Sequence, residues 1–173
     1  MLFVTIILIC IALSLLLVII MGIFYFIDLF LELPYVGAKK DSINNIMKLA
    51  NINKGETIVD LGSGDGRLLF EVANLGAFAY GYEINPFLIL ISRLKKKLKR
   101  QDMQVTINNQ SMWEADLKIA DVIFVYSLVK KMKKFEDFVY KNAKKGTRVI
   151  VNTNPFPNKK PIRVEGKIYL YKV

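Results

Sequence analysis

No histidine occurs in the 173 residues, and the single cysteine, Cys10, lies inside an apolar run. The first absence removes every Ser-His-Asp and Cys-His catalytic arrangement. The two together remove Cys/His metal sites and any disulfide within the chain, so no metal is expected and a reducing compartment fits. Charge of either sign is missing from Leu2 to Ile27. Lys and Arg are missing from the first 33 residues, where Asp28 and Glu32 are the only charges. All 25 basic residues therefore fall in 34–173, against 13 acidic ones, and the chain as a whole carries +10. Such basicity suits an anionic neighbour (lipid headgroups, nucleic acid or an acidic protein) or simply a basic proteome.

As a helix, the uncharged run would measure roughly 39 Å at ~1.5 Å per residue, enough to cross a ~30 Å hydrocarbon layer with tilt. A cleaved signal peptide would need a basic n-region, a shorter apolar core and a small-residue cleavage site, none of which is present. The reading is a retained transmembrane anchor and juxtamembrane segment over 1–33, contacting the bilayer through residues 2–27. Phe24, Tyr25 and Phe26 would lie near one interface. Everything basic follows the span, which predicts a single-pass membrane protein with its domain on the cytoplasmic side. No Arg- and Ser-rich mitochondrial presequence opens the chain, which points to a prokaryotic plasma membrane.

Residues 34–173 are long enough to bury a core. Asp41 or Ser42 can cap a helix running to about Asn51, with Ile43, Ile46, Met47 and Ala50 inward. Strands are expected at 56–62, 78–84, 105–108, 121–126 and 147–153, and one or two short ones in 162–173 around a Glu165-Gly166 turn. Helices are expected from Arg67 to Leu75, stopped by Gly76, and from Pro86 to about Arg100. A third is expected from Val129 to Ala143, with Val129, Met132, Phe135 and Val139 inward. Strands alternating with helices imply an open, parallel, doubly wound sheet, whose ligands bind beyond the strand C-terminal ends where strand order reverses.

The exit loop of the first strand reads "DLGSGDGR" (60–67). A dinucleotide fingerprint would need a glycine at 67, where Arg stands, and a Walker loop would need Gly-Lys-Ser/Thr. Asp60-x-Gly62-x-Gly64-x-Gly66 instead lets the backbone, with Ser63 in the loop, pass close to a ligand without phosphates. Asp60 suits a cationic ammonium. Glu83, closing the second strand with Ile84 and Asn85 beside it, can accept two hydrogen bonds from a ribose diol. A ribose and a cationic amino-acid part without phosphate describe S-adenosylmethionine. The bland alternative is a tight turn with solvated carboxylates.

Over roughly 34–173 the sequence resembles the seven-strand, class I S-adenosylmethionine-dependent methyltransferases. Within them it looks closest to the small membrane-anchored protein-lysine methyltransferases that act on the ATP synthase c subunit or the adenine nucleotide translocase. The resemblance rests on "PYV" (34–36), "DLGSGDGR" (60–67), "GYEINPFLILISR" (81–93), Trp113, "DVIFVY" (121–126) and "NPFP" (154–157). It implies the Rossmann-like, doubly wound, mostly parallel α/β sheet of class I methyltransferases, preceded by one N-terminal transmembrane helix. It also implies S-adenosyl-L-methionine as cofactor, and Tyr35 closing the pocket. Where the family has Asp-x-Trp after strand three, this chain has Ser111-Met112-Trp113. Ser111 can accept the adenine amino group, or Asn109 or Gln110 can replace it.

A lysine acceptor must be neutral to attack, and desolvation lowers its pKa without a histidine base. Tyr126 and Ser127, ending strand four, would lie beside the transferred methyl group. Tyr126 orients or shields the amine, or only packs. Trp113 walls the adenine or acceptor slot, or packs in the core. The strand-four motif [DN]-P-P-[FYW] is absent, which argues against DNA adenine methylation. The basic helix end Arg93–Arg100 is a solvated face, a contact with anionic lipid, or a nucleic-acid patch. With an anchor present, lipid is favoured over nucleic acid. The expected function is methylation of a lysine on a membrane protein, whose local concentration the anchor raises. The alternatives are methylation of a lipophilic small molecule (a quinone precursor or lipid headgroup) and a non-catalytic S-adenosylmethionine-binding membrane protein.

Overall fold

The computed structural model describes residues 2–30, 40–126 and 129–173. The chain divides into two compact units, Met1–Tyr35 and Val36–Val173. The first contains one helix, α1 (Leu2–Phe30). Its stretch Leu2–Ile23 is long and apolar enough to cross a membrane, a property that secretion signals share.

The second unit runs α2 (Lys40–Ala50), β1 (Thr57–Leu61), α3 (Arg67–Asn74), β2 (Phe78–Glu83), α4 (Pro86–Leu98), β3 (Val105–Asn109), β4 (Val122–Tyr126), α5 (Met132–Asn142), β5 (Arg148–Asn152), β6 (Arg163–Glu165) and β7 (Ile168–Lys172). The seven strands form one sheet in the order β3-β2-β1-β4-β5-β7-β6. The first five of these run parallel, while β7 is antiparallel to both neighbours. Sequence order reverses between β1 and β4, which opens a crevice beyond the C-terminal edge there.

Period-two alternation divides the core. Ile58, Val122, Phe124 and Ile150 face one way and pack with Ile46 and Leu49 of α2, Leu69, Phe70 and Val72 of α3, and Ile89 of α4. Val59, Ile123, Val125, Val149, Val151 and Tyr171 face the other way and are buried. On that side the Phe156 ring bridges Tyr171, at 4.8 Å, and Tyr140 of α5, at 6.2 Å. The sheet is thus covered on both faces, as near-continuously apolar central strands require.

Local signals explain most boundaries. Gly76 (φ +76) follows α3, and the N–H groups of Gly76 and Ala77 return to Ala73 and Val72 in a Schellman ending. Asn85 caps α4, its side chain accepting from Phe87 N and Leu88 N, with Pro86 in the first turn. Gly166 (φ +60) opens the two-residue turn joining β6 to β7. Two expectations need correction. The helix expected to start after an Asp41 or Ser42 cap begins at Lys40, so both residues lie within its first turn. The helix expected from Val129 starts with a 3₁₀ turn over Val129–Lys131, and Val129 is 73% exposed rather than inward. Projecting α-helical phase back through a turn of 3.0 residues misplaces each side chain by about 20° per residue.

Candidate functional site

The ends of the parallel strands form one edge. In register, Asn109 of β3 stands beside Glu83 of β2, and Tyr126 of β4 stands beside Asn152 of β5. The glycine loop leaves β1 between these pairs. Gly62, Gly64 and Gly66 have φ of +88°, +56° and +80°, a region that side chains with a Cβ rarely adopt. A Cβ on Gly62 would meet nothing within 4 Å, so this glycine borders open space. One on Gly66 would come within 3.0 Å of the Phe70 ring and 3.2 Å of Ser92 Cβ. The loop is tied to β2, because Gly62 N and Ser63 N both donate to the Tyr82 carbonyl at 3.0 Å. Gly81 makes that approach possible: its Cβ would lie 2.5 Å from both Ser63 Oγ and Leu69 Cδ1. Ser63 Oγ is buried and makes no hydrogen bond among the described residues.

Glu83 is held by backbone donors. Its Oε1 accepts from Ile84 N and Asn85 N at 2.8 Å, and its Oε2 from Gly64 N at 2.9 Å. A carboxylate offers about four acceptor sites, so roughly one remains. A diol donating twice must therefore share Oε2 with Gly64 N–H or displace it. Asp60 is buried one strand away. Burial, and then the negative charge of Glu83, push its carboxyl up to about 7. Two acids within electrostatic reach of each other, one of them desolvated, favour a cationic group nearby.

Asp65, which no sequence pattern singles out, behaves in the opposite way. Burial alone would raise its carboxyl, but Arg67 and Lys95 hold it down at about 2. Arg67 Nε and one terminal nitrogen lie 2.9 and 3.1 Å from its two oxygens, and Lys95 Nζ bonds the second. Asp65 thus ties the loop to α3 and α4. Its signal is hidden in the sequence because Lys95 lies 30 residues away.

The remaining expected residues are placed as follows. Tyr126 is half-buried at the sheet edge, and its hydroxyl has no hydrogen bond among the described residues. Asn85 Oδ1 is spent on the α4 cap, and Ile84 is exposed beside it. Asn109 is exposed, while Ser111 caps a 3₁₀ turn, Met112–Glu114, by accepting from Trp113 N. Trp113 turns to α5, with its ring centroid 4.6 Å from Phe135 and 5.5 Å from Phe138 and Lys134 Nζ 4.0 Å above it. Tyr35 and Ser127 lie outside the described residues. Among the described residues no cluster could hold a metal ion.

This strand order with a glycine loop at the switch point defines a Rossmann-like α/β domain of the methyltransferase type. The sequence profile of the ANTKMT methyltransferase domain matches residues 60–163, and the chain belongs to that family. It is 30% identical to the adenine nucleotide translocase lysine N-methyltransferase of Mus musculus, over 82% of this chain and 62% of that one. It is 29% identical to the Homo sapiens lysine N-methyltransferase named for the c subunit of ATP synthase, over 78% of this chain and 58% of that one. The chain thus spans about three fifths of the length of these relatives. The crystal structure of an RNA methyltransferase from Salinibacter ruber, in complex with S-adenosyl-L-homocysteine, superposes with a TM-score of 0.76. That match has 27% identity and covers 79% of this chain and 93% of that one.

Proposed function

We propose that this chain is a membrane-anchored, S-adenosylmethionine-dependent protein-lysine methyltransferase with an anchor over 1–33, a methyltransferase domain over 34–173 and a lysine acceptor on a membrane protein. The observation that carries the reading is the pair of acids at the glycine loop: buried Asp60 precedes three left-handed glycines and feels the charge of Glu83, which accepts from Gly64 N. The relatives named for lysine N-methylation supply the acceptor class. α1 supplies the anchor, and the excess of basic residues after it supports a cytoplasmic domain.

When bound, S-adenosylmethionine supplies a methyl group on a sulfonium centre, open to in-line displacement by a neutral amine. Asp60 pairs with the ammonium, and Gly62, Ser63, Gly64 and Gly66 let the backbone lie against the ligand. Glu83 holds the ribose, with Ile84 and Asn85 fixing its orientation. Asn109 and Ser111 border the adenine, and Tyr35 closes the pocket. Tyr126, whose hydroxyl is uncommitted among the described residues, accepts an N–H of the incoming lysine and aims its lone pair. Ser127 assists, and Trp113, packed on Phe135 and Phe138 of α5, borders the adenine or acceptor slot by its remaining edge. Alignment and a dry site are the protein's contribution.

The test incubates the full chain in lipid nanodiscs with methyl-labelled S-adenosylmethionine and native membranes, beside an Asp60→Ala control. The expected result is label in a small membrane-protein band that hydrolyses to methyl-lysine and is lost in the control. Label confined to the lipid extract would replace the reading with methylation of a lipophilic small molecule. Label in RNA would replace it with the nucleic-acid activity named for the Salinibacter protein. Cofactor binding without label in any fraction would leave a non-catalytic binding protein.

A further inference from the structure

Helix α4 has two apolar faces where a surface helix has one. Leu88, Ile89 and Ser92 are buried against the sheet. On the far side Leu90, Leu94 and Leu98 are 55%, 54% and 84% exposed. Their spacings of four and four place them within about an 80° arc at ~100° per residue. Arg93 and Lys97 border the stripe on one side, and Lys95 and Lys99 border it on the other. The helix, PFLILISRLKKKL, contains no acidic residue. Lys95 and Lys96 are engaged by Asp65 and Asp102, Arg93 donates to the Ile107 carbonyl at 3.5 Å and Lys99 Nζ lies 5.9 Å from the Phe70 ring, whereas Lys97 is exposed.

We propose that α4 lies in the surface of an anionic bilayer, with Leu90, Leu94 and Leu98 among the upper acyl chains and the flanking cations at the headgroups. An apolar stripe between two rows of cations is the pattern of an interfacial helix. Each cation near an anionic surface adds about 1 kcal/mol, or roughly fivefold in partition. A second copy fits worse: pairing this face with itself sets like charges together, and α4 offers no carboxylate to offset them. Seating α4 on the bilayer also brings the candidate site to the membrane, because Glu83 and Asn85 immediately precede its first turn. The inference rests on the anchored reading above, which supplies the bilayer.

The test uses the full chain in a Cys10→Ser background with one introduced cysteine, Leu90→Cys, Leu94→Cys or, as a reference on α5, Lys141→Cys. Each carries an environment-sensitive fluorophore and is reconstituted in phosphatidylcholine vesicles with or without phosphatidylglycerol and nitroxide lipid. The expected result is blue-shifted emission, quenched by nitroxide, at 90 and 94 but not at 141, in the anionic vesicles alone. Lys97→Gln lowers that partition by about fivefold. Chain that stays in the vesicles while labels at 90 and 94 remain as wet as at 141 overturns the docking and leaves the anchor standing. Equal quenching in neutral vesicles overturns the electrostatic half. Efficient crosslinking of Leu94→Cys chains to each other assigns the face to a second copy instead. Chain that does not enter vesicles overturns both readings.

Discussion

Asp60 holds its proton at a pH where aspartate is ordinarily ionised, pushed up to about 7 first by burial and then by Glu83. In the unfolded chain the same group titrates near 3.9. A raised folded-state pKa contributes stability that is complete below the unfolded value and is lost as pH rises through the folded one. Without cofactor the domain should therefore lose stability from pH 5 to pH 8, with a slope of at most about 1.4 kcal/mol per pH unit. Asp65, held down at about 2, acts on the other side: its contribution is present above the unfolded pKa and fades only in strong acid. Urea midpoints at pH 5 and 8 test this, and Asp60→Asn should flatten the difference. Cofactor affinity should move the opposite way, tightening as pH passes 7, since an ammonium stabilises the ionised carboxylate. Calorimetry in buffers of different ionisation enthalpy should show proton release at pH 6. A pH-independent affinity with no proton release would remove Asp60 from the ammonium site.

At the scale of elements, Arg148 joins three pieces of chain. One terminal nitrogen donates to the carbonyls of Ala50 and Asn51 at 2.7 and 2.6 Å, and the other pairs with Glu56 at 2.6 Å. It thereby satisfies the open carbonyl end of α2 from β5. Burial would raise the Glu56 carboxyl, but bonds from Asn53 and Arg148 lower it overall. Arg148→Lys keeps the charge but loses the planar fork and should cost about 1–3 kcal/mol in denaturant unfolding. A loss no larger than at an exposed lysine such as Lys141 would make the fork dispensable. Nothing in the sequence announced this contact, because its partners lie 97 and 98 residues apart and no period links them. The glycine loop, the Pro86 start and the Gly76 stop were legible because each is a local backbone demand written in one or two residue types. The ring contacts of Trp113 with α5, the clamp on Asp65 and the close packing at Gly81 were not. They arise only when distant segments meet, and a lone tryptophan or glycine reads the same in either environment. The placement of β7 between β5 and β6 was likewise hidden, since alternation marks a strand but not its neighbours.

For the molecule as a whole, the candidate crevice and the apolar helix fall in separate units, Val36–Val173 and Met1–Tyr35. The larger unit contains the whole seven-strand sheet and the described core on both its faces. A chain beginning at Val36 should therefore fold cooperatively and bind S-adenosylmethionine with near-native affinity. Its rate on a membrane-embedded acceptor is another matter, because confinement to the bilayer acts as an effective concentration commonly worth about 10²–10⁴ in apparent affinity. The truncated chain should show that deficit in kcat/KM toward acceptor in vesicles. The deficit should vanish when the same acceptor is offered in detergent micelles, where enzyme and substrate no longer share a surface. An equal loss in both media would mean that residues 1–35 build part of the site itself, with Tyr35 the first residue to restore. Equal activity in both media would mean that the apolar helix does not serve to concentrate the acceptor.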